Sequence, residues 1–249
     1  MKNKLLSVTN LGKVYHSKND EIKAIDDVSF DVYENEFISI VGPSGCGKST
    51  ILSILTGLEN KSKGELSFDK KISIGYMLQD DCLFFWRSIL DNCLIGLEIT
   101  GKLTDENTQY VIDLSKTYGL YEFKDKYPSS LSGGMRQRVA LIRTLAMKPD
   151  VLLLDEPMSA LDSQSRLAIG DDIYRIIKKE GKTAIMVTHD ISEAISMSDR
   201  VIVLSKRPAT IKNIYNIELE NKSTPIKNPS SKNFASYYEK IWRDLDVHI

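Results

Sequence analysis

The chain has 249 residues, 42% hydrophobic and 27% charged, enough apolar content for one large core or two small ones beneath a water-facing surface. Lys plus Arg number 33 against 34 for Asp plus Glu, a formal net charge of -1, so no overall positive field draws the chain to nucleic acid. Cys46, Cys82 and Cys93 lack paired-ligand spacing, which argues against a disulfide framework or a zinc site and fits the reducing cytosol. No apolar run nears the roughly 18 residues that span a bilayer, and the first six residues break off too soon for a secretory signal. Any membrane association is expected through a partner.

Residues 5–8, 13–15 and 24–32 are strand-like patches separated by turn signals, predicting a small antiparallel sheet that leads into the core. Tyr15 lies on one of them. Its ring can stack on a nucleobase, or serve as a half-buried packing residue.

The buried run Phe37-Ile38-Ser39-Ile40-Val41 then enters Gly42-Pro43-Ser44-Gly45-Cys46-Gly47-Lys48-Ser49-Thr50, which fits the phosphate-binding template of spaced glycines followed by Lys and Ser/Thr. The glycines let backbone N–H groups converge, Lys48 reaches the outer phosphates of a triphosphate, and the Ser49 hydroxyl is placed for Mg²⁺. Ile51, Leu52, Ile54, Leu55 and Leu58 follow at helical spacing, with Gly57 near the helix end. A helix N-terminus beneath the loop adds its own attraction for an anion.

Residues 65–68 and 72–78 read as two more strands, closing at Gln79-Asp80-Asp81. Gln79 offers a carbonyl and an amide that suit both Mg²⁺ and an attacking water, or a solvated loop. Leu83-Phe84-Phe85-Trp86 reads first as the core of the following lobe; the alternative is an exposed aromatic groove that receives a partner helix. Residues 88–147 are helical in period, predicting an inserted all-helical lobe in which Tyr127-Pro128 stops a helix. Ser132-Gly133-Gly134 then opens another helix, with Ser132 as N-cap and the two glycine N–H groups left for a second anion.

Val151 to Leu154 is an unbroken apolar run without alternation, predicting a parallel strand, and it ends in Asp155-Glu156 at the edge where open α/β sheets bind ligands. Neighbours on a strand point to opposite sides, so Asp155 is assigned to the metal shell and Glu156 to the water that attacks the γ-phosphate. Ser159-Ala160-Leu161-Asp162 leads into a helix carrying Leu167, Ile173, Ile176 and Ile177, with Asp162 as its N-cap. Residues 184–187 form the next buried strand, ending at Thr188-His189-Asp190; His189 either meets the γ-phosphate or caps the strand. Residues 201–204 are expected to be the last core strand. Beyond Pro208 come Ile211, Ile214 and Ile217, a Lys/Asn/Ser/Pro-rich span, and a terminal helix with Phe234, Tyr237, Tyr238, Ile241 and Trp242.

In order and spacing these segments resemble the nucleotide-binding subunits of ATP-binding cassette (ABC) transporters over nearly the whole chain. Leu131 to Met135 resembles the family's signature, Gln79 its Q-loop, Asp155 and Glu156 its Walker B pair, Ser159 to Asp162 its D-loop, and His189 its switch histidine. Tyr15 stands where the family keeps its adenine-stacking aromatic. The resemblance implies an α/β fold: a P-loop NTPase core with an antiparallel β-subdomain and an inserted helical subdomain. Residues 1–249 would form one ATPase domain, with 1–80 and 148–208 as the core and β-subdomain, 81–147 as the helical subdomain and 209–249 as a C-terminal extension.

It implies ATP and Mg²⁺ as ligands, a head-to-tail homodimer in which Ser132, Gly133 and Gly134 complete the partner's nucleotide site, Asp162 as a further nucleotide-site residue, and transmembrane permease subunits to which the chain binds on the cytoplasmic face of the membrane. A solute-binding protein would take part indirectly. Residues 136–141, the Trp86 region and residues 241–245 are similar to importers of the nitrate, sulfonate and taurine type, although Phe85 stands where many relatives have Pro. Exporter and lipoprotein-release ATPases share the same motifs. DNA-repair ATPases carry long coiled-coil arms, for which the interval from Lys48 to Gly134 is too short.

Overall fold

The computed structural model describes residues 3–17, 20–159 and 161–245; Ala160, within the D-loop-like run, lies outside them. The strands are β1 (Lys4–His16), β2 (Glu21–Tyr33), β3 (Phe37–Val41), β4 (Lys63–Phe68), β5 (Ile74–Met77), β6 (Val151–Asp155), β7 (Thr183–Thr188), β8 (Arg200–Leu204) and β9 (Ala209–Asn216). The helices are α1 (Lys48–Leu55), α2 (Ile89–Ile99), α3 (Asp105–Thr117), α4 (Gly133–Leu145), α5 (Ser163–Lys179), α6 (Ile191–Met197) and α7 (Phe234–Asp244).

The sheet order is β4-β1-β2-β9-β8-β3-β7-β6-β5. β1 pairs antiparallel with β2 and β4, while β8, β3, β7, β6 and β5 run parallel to one another. β9 joins the two parts, antiparallel to β8 and parallel to β2. The expected last strand at residues 201–204 is thus followed by another, and a boundary at 208 would separate two paired strands. The sheet runs on through Asn216.

The central strands are apolar on both sides because both sides are covered. Ile38, Ile40, Val151, Leu153, Ile185 and Val187 face Ile51, Leu52, Ile54 and Leu55 of α1. Phe37, Leu152, Leu154, Ala184 and Met186 face the opposite way, into one core with α4, α5 and the helical lobe. Each of these buried Val, Leu, Ile, Phe or Met side chains contributes about 1.5–3 kcal/mol. A third cluster packs Val41, Val201 and Val203 against α6 and α7 through Ile191, Ile195, Phe234 and Ile241.

Three local expectations are corrected. α3 ends at Thr117, and Tyr127-Pro128 begins a 3-10 turn (Pro128–Ser130) rather than stopping a helix. Leu167 of α5 is exposed, on the side away from Ile173, Ile176 and Ile177. In the aromatic run, Leu83 packs on the core, but Phe85 and Trp86 are 73% and 61% exposed. Phe84 and Phe85 hold their rings edge-on to Trp86 at centroid distances of 5.2 and 4.7 Å. This run is a surface cluster footed on the core by the partly buried Leu83.

Register decides where function gathers. Val41 pairs with Thr188, Asp155 with Val187, and Met77 with Leu154. Gly42, Glu156, His189 and Gln79 therefore leave the sheet at the same edge, the carboxyl ends of parallel strands. No helix among the described residues is long and apolar enough to cross a membrane.

Candidate functional site

The loop between β3 and α1 is shaped by its glycines. Gly45 and Gly47 have φ of 70° and 117°, left-handed conformations that are costly for a side-chain-bearing residue. A Cβ on Gly42 would lie 2.8 Å from Cys46 Sγ and 3.1 Å from Leu204 Cβ. Gly47 caps α1 without any side-chain bond to its amides, so the first-turn N–H groups stay open for an external acceptor. Lys48 is buried and folds across the loop, its Nζ donating to Gly42 O (2.9 Å) and Pro43 O (3.2 Å).

Cys46 contributes its backbone to the loop, and its side chain does not line the cleft. It is 1% exposed beneath the loop, and burial pushes its thiol up; it supports the backbone. Pro43, lacking an N–H, offers the loop geometry and a carbonyl.

The loop borders an open cleft of about 490 Å³ lined by Tyr15, Ser44, Gly45, Gly47, Lys48, Ser49, Thr50, Gln79 and Glu156, together with Arg207, within the size range of small-ligand sites. The Tyr15 hydroxyl lies 3.5 Å from Thr50 Oγ1, and the Lys13 ammonium sits 4.7 Å from the Tyr15 ring centroid.

Behind the cleft, Asp155 is 5% exposed and accepts from Ser49 Oγ and from the Tyr76 hydroxyl, each at 3.0 Å. Burial raises the Asp155 carboxyl above its ordinary range, against the pull of those two bonds. Tyr76 is pushed up to about 12, first by its own burial and then by the Asp155 charge. A carboxylate held under this desolvation gains from a cation, and a hydroxyl and a carboxylate are oxygen donors suited to a hard divalent ion.

Glu156 follows with φ 43°. The two carboxylates diverge because the chain turns into the left-handed region after Asp155, not because they alternate along a strand. Such a conformation costs a non-glycine residue about 1–2 kcal/mol, and bonds on both sides hold it: Glu156 N donates to Val187 O (2.9 Å), and Ser159 N donates to Glu156 O (3.1 Å). Its Oε2 lies 2.9 Å from His189 Nδ1. A carboxylate oxygen accepts, so Nδ1 carries the hydrogen and Nε2 remains for another group.

Gln79 joins this centre through Ser159, its Nε2 lying 3.4 Å from Ser159 Oγ. Its loop is held by α4: Arg136 Nε donates to Asp81 Oδ2 (2.9 Å), and Arg143 donates to Cys82 O (2.7 Å) and Asp81 O (2.6 Å). The lobe therefore grips the strand end that presents Gln79.

Ser132, Gly133 and Gly134 lie outside the cleft. Ser132 accepts from Met135 N at 3.3 Å, the cap its sequence predicts. A Cβ on Gly133 would lie 3.2 Å from Leu161 Cδ2, and one on Gly134 3.0 Å from Ile169 Cδ1. Asp162 also stands apart from the cleft, as the helix cap its sequence predicts, Oδ1 accepting from Ser165 N (3.0 Å).

Sequence reasoning missed three residues. Tyr76 was marked only by the strand alternation that turns it toward α1, and Gln137, buried 3.5 Å from Gln79 O, by its place one turn into α4. Arg207, in the turn before β9, had no signal.

Residues 25–159 match the family model described as ABC transporter. The chain is 44% identical to the uncharacterised ABC transporter ATP-binding protein YtlC of Bacillus subtilis (strain 168), over 97% of this chain and 95% of that protein. It is 34% identical to the aliphatic sulfonates import ATP-binding protein SsuB of Bacillus cereus, over 94% and 92%. Among solved structures it superimposes with a TM-score of 0.74 on the dimeric post-hydrolysis state of the ATP-binding cassette MJ0796 bound to ADP and Pi, at 30% identity, covering 86% of this chain and 99% of that one. With the phosphate loop, the paired carboxylates and the histidine at one sheet edge, these likenesses show that the chain belongs to the ABC transporter family, as an ATP-binding subunit that hydrolyses ATP.

Proposed function

We propose that this chain energises import of a small solute, of the sulfonate, taurine or nitrate type, through a permease supplied by a solute-binding protein. It works as a head-to-tail pair on the cytoplasmic face of the membrane. The 34% identity to an aliphatic sulfonates importer over 94% of the chain supports the direction and the solute class. The exposed Phe85 and Trp86 rings supply the aromatic anchors that a permease helix would bury.

In this reading Tyr15 stacks on adenine, while the amides of residues 44–50 and the Lys48 ammonium hold the phosphates. Ser49, Asp155 and Gln79 are the oxygen donors for Mg²⁺, which when bound neutralises charge on the phosphates. Among the described residues no three His, Cys, Asp or Glu side chains group around one metal position, in keeping with an ion shared with phosphate oxygens. Glu156 orients and polarises the attacking water. His189, fixed by Glu156 through Nδ1, turns Nε2 to the γ-phosphate.

What supports the pairing is that Ser132, Gly133 and Gly134 do not line the cleft that Lys48 and Glu156 line. A second copy brings the signature of each chain over the nucleotide of the other. Closure on ATP and release after hydrolysis then drive the permease. Glu156→Gln is expected to keep ATP binding, lower turnover at least about 100-fold and elute as a dimer in Mg-ATP on size exclusion. Elution as monomer alone would count against the pairing.

A further inference from the structure

Arg166, in the first turn of α5, reaches two segments that the sequence keeps apart. Its Nη2 donates to Leu161 O at 3.2 Å, in the D-loop-like run. Its Nη1 lies 3.7 Å from Asp190 Oδ2 and its Nε 3.7 Å from Glu193 Oε1, both at the start of α6. These are ion pairs rather than hydrogen bonds, and Nε is buried without a hydrogen-bond partner.

The two carboxylates are fixed in turn. Asp190 caps α6, Oδ1 accepting from Glu193 N (3.0 Å). Thr188 Oγ1 donates to Glu193 Oε2 (2.7 Å) and accepts from Asp190 N (3.0 Å). His189 sits between Thr188 and Asp190, so this network surrounds the backbone that aims the histidine. Burial raises the Glu193 carboxyl, opposed by the Thr188 bond and, more weakly, by the Arg166 charge; without its cation Glu193 would be left desolvated beside Asp190. Leu161 in turn backs onto Gly133 at the start of α4. One guanidinium thus lies between the turn that abuts the signature and the segment that carries the histidine.

We propose that Arg166 is a positioning residue for ATP hydrolysis: it holds the Leu161 turn and the Thr188-His189-Asp190 segment in one register, keeping His189 Nδ1 on Glu156. This rests on the roles given above to Glu156 and His189. Arg166 does not line the nucleotide cleft, so its removal reaches catalysis through geometry and leaves nucleotide binding alone.

The test compares steady-state Mg-ATP hydrolysis by the full chain and its Arg166→Gln, Arg166→Lys, Glu193→Gln, Arg166→Gln/Glu193→Gln and His189→Ala variants. Arg166→Gln is expected to lower kcat about tenfold with KM for ATP changed by less than about twofold. Arg166→Lys recovers part of the loss, and the double variant is no worse than the poorer single one, because both members serve one link. Unchanged kcat in Arg166→Gln while His189→Ala loses turnover overturns the Arg166 role and leaves the histidine's intact. Unchanged turnover in His189→Ala removes the reading beneath it. Strictly additive losses, or a rise in KM at constant kcat, overturn the proposal in favour of a brace for the fold. Should Arg166→Gln fail to fold, Glu193→Gln and Arg166→Lys decide: wild-type kcat in both overturns it.

Discussion

Two helices in this chain begin at glycines, and the two beginnings are built on different physics. At α1 the glycines are needed for their backbone: Gly45 and Gly47 take positive φ, and Gly47 leaves the first amides without a side-chain cap. At α4 the backbone is ordinary and Ser132 already bonds Met135 N. There the glycines are needed for their missing Cβ, because Leu161 and Ile169 lie against them. The first start is open toward a ligand within its own chain. The second is closed by packing behind and has a free front, the condition expected of a surface completed by another subunit.

The largest expected effect comes from Lys48→Ala. The ammonium now bonded to Gly42 O and Pro43 O is the one flexible cation of the loop. Its loss should weaken ATP binding about 100-fold, read by fluorescence titration with a labelled nucleotide; affinity within a few-fold of wild type would place the phosphates elsewhere.

Alanine at the two kinds of glycine gives the sharper contrast. At Gly45 nothing lies within 4 Å of a new Cβ, but φ is +70°, so Gly45→Ala carries backbone strain of about 1–2 kcal/mol. At Gly134 the backbone accepts alanine, but the new methyl meets Ile169 Cδ1 at 3.0 Å, an overpacking of about 1–3 kcal/mol partly offset by a helix-propensity gain of about 0.5–1 kcal/mol. Ile169→Val removes Cδ1 and should restore part of the stability of Gly134→Ala in urea unfolding, and none of that of Gly45→Ala. Equal rescue of both would erase the distinction between the two starts.

Much of this site was legible because several independent signals met on the same residues. The run from Phe37 to Val41, the loop and the helical spacing after it all predicted one anion site, and the unbroken Val151 to Leu154 run predicted a buried parallel strand. The reason given for separating Asp155 from Glu156 was wrong, since a left-handed turn leaves no mark when the residue is not glycine. β9 escaped because Ile211 and Ile214 stand three apart and Ile214 is exposed, so the strand shows no two-residue alternation of apolar positions. Phe85 and Trp86 leave two readings open for a simpler reason: hydrophobicity reports what water disfavours, and an exposed aromatic patch has the same composition as a core. The Arg166 network was invisible because Arg166 and the segment from Thr188 to Glu193 lie far apart in sequence and are brought within ion-pair distance only by the fold.

The smallest effect separates the two jobs of Ser132. In the single chain its Oγ accepts from Met135 N, and Ser132→Ala should lose about 1 kcal/mol of stability with that cap. Ser132→Asp keeps a capping oxygen and suits the helix dipole, so the isolated chain should stay close to wild type in thermal unfolding. Facing a partner's nucleotide, however, the same carboxylate meets the γ-phosphate as a like charge. In the Glu156→Gln background Ser132→Asp is therefore expected to abolish the Mg-ATP dimer on size exclusion, while Ser132→Ala only weakens it. If both variants paired as readily as the parent, the serine would be a cap and nothing more, and the free front of α4 would have to meet something other than phosphate.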